Sequence, residues 1–187
     1  MQLRPEVQIA SAIKAMKDVV IPAIAPDNSL AVEQGRLVVG MLALMAHQLP
    51  LQFAFDRDEL ARLLVCADRL DQATAACAGL AAARGSLDAC RGEAATLLRA
   101  CAFEPADLLD VVQRLKRTVA GLVDTAAEIA EPAVFAAIGA AILDQSREQL
   151  IRDRALMAPQ GWEPDPAALP PIADLLATDM TQSARGA

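Results

Sequence analysis

Apolar residues recur along the chain at three- and four-residue steps, with little strict alternation of apolar and polar positions, so the pattern predicts helices. The first runs from Pro5 to Val20, with proline at the first helical position, where a missing N–H costs nothing. Its apolar stripe is Val7 or Ile9, then Ile13, Met16 and Val20. Residues 21–28 contain two prolines and read as a turn. Asn28 or Ser29 then caps a second helix, which Pro50 ends. Leu37, Val38, Met41, Leu42, Leu44 and Met45 surround most of that helix, which predicts a central, buried position.

Asp56 and Glu59 have capping-box spacing and predict a helix start that runs on to Ala83. Arg84, Gly85 and Ser86 read as a turn, and Ser86 caps a helix reaching Phe103. Glu104-Pro105 and Glu131-Pro132 each place a carboxylate at the positive end of a helix of roughly 25 residues. Only Leu51 to Phe55 alternates as a strand would, and one such segment cannot form a sheet. The expected fold is all-α: an antiparallel bundle of about six helices over residues 1–158. A proline-rich tail over 159–187 follows, extended, with Trp162 as its anchor and a short helix at 171–177.

Composition agrees with helices. Hydrophobic residues make up 55% of 187, and 41 are alanine, which loses no side-chain entropy in a helix. The remaining Leu, Val, Ile, Met, Phe, Trp and Cys suffice for a core, so a disordered polar chain is excluded. A net charge of −7 argues against nucleic acid, which requires a cationic face. The longest apolar run, Leu37 to Ala46, is half of the ~20 residues that span a bilayer, so no membrane span is expected. No apolar signal segment opens the chain; the expectation is a cytoplasmic protein with reduced cysteines.

Catalytic chemistry finds little support. The single histidine, His47, cannot supply the imidazoles of a usual zinc site, and no Glu stands three residues before a His as di-iron bundles require. Carboxylate pairs such as Asp68 and Asp71, Asp107 and Asp110, and Asp144 and Glu148 have basic neighbours at helical spacing and read as solvated faces. Glycines are scattered singly, without a phosphate-binding loop. Gly79, Gly92, Gly121 and Gly139 fall inside expected helices, where close helix packing is a reason to keep them. No catalytic residue, cofactor or metal ligand is expected.

Cys66, Cys77, Cys90 and Cys101 are spaced 11, 13 and 11 apart. Reflecting the hairpin between Ala83 and Arg84 aligns Leu80 with Leu87, Cys77 with Cys90, Ala73 with Ala94, Leu70 with Leu97, and Cys66 with Cys101. Steps of three and four on both sides are those of an antiparallel coiled-coil seam. The spacing resembles that of twin-cysteine helical hairpins stapled by two disulfides. Two cysteine layers roughly 16 Å apart exclude one four-cysteine zinc site. The four are expected as small core residues, with redox-linked pairing as the alternative.

The functional expectation is a non-catalytic helical protein that associates with itself as a homodimer, or serves as an accessory to another protein. The alternative is a bundle binding a small apolar ligand near Met41, Met45, Phe53, Phe55 and Phe103.

Overall fold

The computed structural model describes residues 4–100 and 103–176. These form an all-α fold: α1 Pro5–Ala15, α2 Ser29–Gln48, α3 Gln52–Thr74, α4 Ala81–Arg99, α5 Pro105–Ile129 and α6 Pro132–Met157. Short 3-10 turns link several of them, a further helical stretch covers 172–176, and no strand occurs among the described residues. The alternating stretch at 51–55 lies almost wholly inside α3.

Two compact units divide the chain: Met1–Gln52 with Asp153–Pro171, and Phe53–Arg152 with Ile172–Ala187. The expected division set a bundle over 1–158 apart from a tail over 159–187. Instead the first stretch of the tail shares a unit with α1 and α2, and the division runs through α6.

In the first unit, α1 does not continue as α-helix to Val20 but widens into a π-helical turn, Met16–Val20. Pro22 explains it: proline offers no N–H to the carbonyl four residues back, and its ring crowds that carbonyl. The Ile21 N–H bonds Met16 O, five residues earlier. A 3-10 turn, Ile21–Ala23, follows. Asn28 caps α2 by accepting the Ala31 N–H at 3.1 Å. Gly35, the one buried residue of α2, sits so close to the turn that a Cβ would stand 2.9 Å from Ile21 Cγ1.

The second unit holds the core. α5 presents Leu108, Val111, Val112, Leu115, Val119, Leu122 and Ala126 at three- and four-residue steps, all buried. Leu60 and Leu70 of α3 and Leu87 of α4 meet that stripe with no exposed surface. Each such leucine contributes roughly 1.5–3 kcal/mol by burial.

The hairpin reverses earlier than the sequence suggests. α3 ends at Thr74, buried, whose hydroxyl donates to Leu70 O at 2.7 Å. The chain turns through residues 75–80, ending in a 3-10 turn, Ala78–Leu80. Gly79 lies within this reversal, and an added Cβ would stand 2.9 Å from Cδ1 at the tip of the Ile129 side chain. Gly85, expected in the turn, is helical with open space around it. Arg84 belongs to the first turn of α4 and reaches back to Asp71 Oδ1 at 2.6 Å and Ala75 O at 3.3 Å, closing the free end of α3. Arg91 pairs with Asp68 at 2.7 Å. Reflection between Ala83 and Arg84 would have set Asp71 opposite Thr96, so the expected register is overturned. Cys77 lies in the reversal itself, just before the 3-10 turn, rather than opposite Cys90 along two helices.

Two more expectations change. α3 starts at Gln52, so Asp56 and Glu59 are interior residues, not caps, and both are buried. Gly92, Gly121 and Gly139 have nothing within 4 Å of an added Cβ, so close packing does not account for them.

Candidate functional site

α2 departs most from its expected place. Its side chains divide into two stripes. Gly35, Val39, Leu42 and Ala46, at steps of four, three and four, are buried or half-buried. Leu30, Leu37, Val38, Met41, Met45 and Leu49 are exposed, Leu30 at 70% and Met41 at 60%. A helix expected at the centre therefore shows solvent an apolar face. Isolated exposed apolar residues are ordinary; Leu37, Met41 and Met45 following one another at four-residue steps along one helix are less so. By length and composition α2 also suffices to cross a membrane, but Glu33 and Arg36 interrupt its first half. The unit to which it belongs carries five basic side chains against seven acidic ones, the wrong balance for a lipid surface.

The proposed apolar-ligand residues are spread across both units. Met41 and Met45 lie on the exposed stripe of α2 in the first. In the second, Phe55 is buried and Phe53 stacks on Phe103 with ring centroids 5.5 Å apart. His47 is exposed in the last turn of α2.

Trp162, the expected anchor, is 71% exposed. Local geometry explains this. Gly161 takes the left-handed conformation, φ 78°, at the end of the 3-10 turn that follows α6. The chain then doubles back, and Arg154 holds Glu163 with Nη2–Oε1 at 2.6 Å. That hydrogen bond keeps the Glu163 carboxyl below the usual range. Its neighbours cover the Glu163 side chain, although it lies at the surface of the fold. Glu163 thus turns inward toward Arg154 while Trp162 points out.

Of the expected hairpin seam, Cys66, Leu70, Leu80, Leu87 and Ala94 are buried in the core, and Ala73, Cys77, Cys90 and Leu97 pack against it half-buried. Cys101 lies outside the described residues. Cys66, Cys77 and Cys90 are free thiols. The Cys66 Sγ stands 3.9 Å from Ala141 O, and burial pushes its thiol up.

One cluster had no advance notice in the sequence. Asp58 and Arg62 of α3, both buried, meet Gln149 and Arg152 of α6. The Arg62 and Arg152 Nε–H groups both donate to Asp58 Oδ2 at 2.8 Å. Arg62 Nη1 reaches Gln149 Oε1 at 3.0 Å. Arg62 Nη2 is 2.7 Å from Asp58 Oδ2 but off the line a hydrogen bond needs, so it is attracted without being satisfied. One turn away, Lys116 of α5 pairs with Glu59 at 2.7 Å. Asp58 and Arg62 stand four apart, which reads as an ordinary surface pair until the packing of α6 is known.

No protein family, no curated protein and no solved structure matches this chain. Its chemistry therefore rests on its own geometry. Among the described residues no three His, Cys, Asp or Glu side chains gather as metal ligands would. An open groove of about 480 Å³ between α4 and α5 is lined by Gly79, Ala83, Ser86, Arg117, Thr118 and Thr125, among others. The three hydroxyls donate to their own helices, to Ala82, Arg114 and Gly121 carbonyls, so they are already engaged. The outer stripe of α2 is the more unusual surface.

Proposed function

We propose that this is a non-catalytic helical protein that acts by self-association, with α2 as the contact. The observation that carries the reading is the two-sided apolar character of α2: one stripe packs within the first unit, and the other is exposed among the described residues. Apolar surface of that extent is expelled from water when a complementary surface is offered. The buried Asp58 cluster supports a structural role rather than a reactive one, since each of its charges faces an opposite charge.

Light scattering coupled to size exclusion tests this on the full chain. The expected species has about twice 19.7 kDa, and Met41→Glu shifts it to one copy with unchanged helical circular dichroism. A wild-type protein that stays at one copy through tens of micromolar removes the proposal.

A further inference from the structure

We infer that the cleft beside Trp162 is a binding site for an organic ammonium group, independently of the self-association proposed above. The cleft, of about 250 Å³, lies wholly in the first unit and is lined by Asp153, Arg154, Met157, Gln160, Trp162 and Glu163. Its size suits a small head group rather than a drug-sized molecule. An indole left at the surface is unusual, because its large apolar face gains much from burial. Here the backbone holds it out. Gly161 has the only positive φ among the described residues, and Glu163 on the other side is fixed by Arg154 at 2.6 Å and by the Asp165 N–H. Set between those two fixed points, the Trp162 ring is presented before any ligand arrives to order it.

Charge and chemistry select a cation. Residues 153–165 carry three carboxylates, Asp153, Glu163 and Asp165, against the single guanidinium of Arg154. Glu163 neutralises Arg154, so the segment is left negative. Gln160 Oε1, buried and without a hydrogen-bond partner among the described residues, adds an electron-rich atom to the wall. The indole face is itself electron-rich, and tryptophan attracts cations best among the aromatic side chains. Met157, 41% exposed, supplies a polarisable thioether for the methyl or methylene groups around an ammonium nitrogen. An anion would be repelled by the same carboxylates, and a neutral group of equal shape would forgo both attractions.

Trp162 is the single tryptophan and the chain has no tyrosine, so its emission reports on the cleft alone. Choline chloride titrated into the full chain, against sodium chloride at equal ionic strength, should change that emission saturably at millimolar concentration. Its neutral carbon isostere, dimethylbutanol, should not. Saturation-transfer NMR of the choline methyl protons should show contact with the wild-type protein and none with Trp162→Leu, whose helical circular dichroism stays unchanged because the indole is exposed. A peptide bearing trimethyllysine carries the same head group, and the tighter of the two ligands tells whether the site takes a free ammonium or a modified side chain. A response to dimethylbutanol equal to that of choline would make the cleft a general apolar one and overturn the assignment. So would a signal that never saturates through about 100 mM choline. Saturation transfer that persists in Trp162→Leu would place the ammonium elsewhere and overturn it as well.

Discussion

Removing the Asp58 carboxylate should destabilise the second unit more than any surface substitution. Asp58 is 3% exposed, and two guanidiniums donate to the same oxygen at 2.8 Å. Asp58→Ala leaves Arg62 and Arg152 facing each other, nearly buried and without their shared anion. Breaking one buried pair by deleting a partner costs about 3–5 kcal/mol, most of it the stranded charge. Two stranded cations put the expectation at the upper half, about 4–5 kcal/mol. Against a total stability of roughly 5–15 kcal/mol, that is about a quarter or more.

Urea denaturation followed by circular dichroism reads the effect, with a midpoint lowered by about 2 M at a slope near 2 kcal/mol/M. Asp110→Ala is the matched control. It breaks the exposed pair to Arg114 at 3.0 Å, and such pairs are worth under about 1 kcal/mol. Replacing the whole triad by apolar residues of similar length, Asp58→Leu with Arg62→Met and Arg152→Met, should recover most of the loss, since no charge is then left behind. An Asp58→Ala midpoint indistinguishable from that of Asp110→Ala would refute the buried triad.

Gly92→Ala and Gly121→Ala should each raise stability by about 0.5–1 kcal/mol in the same assay, because both are helical with room for a methyl group, whereas Gly79→Ala should gain nothing as its methyl meets Ile129. Cys66 should alkylate more slowly than Cys77 and Cys90 at pH 8, since burial raises its thiol and leaves less thiolate; the difference should vanish in denaturant. Native Trp162 should emit near the wavelength of solvated indole, and a blue-shifted maximum would contradict its exposure. The Glu163 carboxyl is held below its ordinary range by Arg154, so the tether it forms outlasts the ordinary carboxylate range and is lost only as pH falls through the lowered value; tryptophan anisotropy should stay level above that point and drop below it.

Helix class and most helix ends were legible because they follow from local chemistry. Pro105 and Pro132 fix where α5 and α6 begin, and Asn28 caps α2 as its side chain suggests. The inward face of α5 follows from its period alone. The hairpin reversal was misplaced because Gly85 with polar neighbours resembles a turn more than Ala75 to Leu80 does. Nothing local marks Gly79 as the glycine in close contact, since the residue it approaches, Ile129, lies fifty positions away in the chain. The Asp58 triad was hidden for the same reason: Arg152 reaches Asp58 across 94 positions.

The misreading of α2 has a different cause, and it bears on function. Apolar residues on most sides of a helix are taken to mean that one fold surrounds it. Periodicity counts how much of the helix must leave water, not which chain covers it. Gly35, Val39, Leu42 and Ala46 are covered within the first unit, while Leu30, Leu37, Met41 and Met45 are not. The same sequence pattern thus serves a helix buried in one chain or shared between two. The exposure of Leu37, Met41 and Met45, at four-residue steps and with no charge between them, is the observation on which the proposed self-association rests.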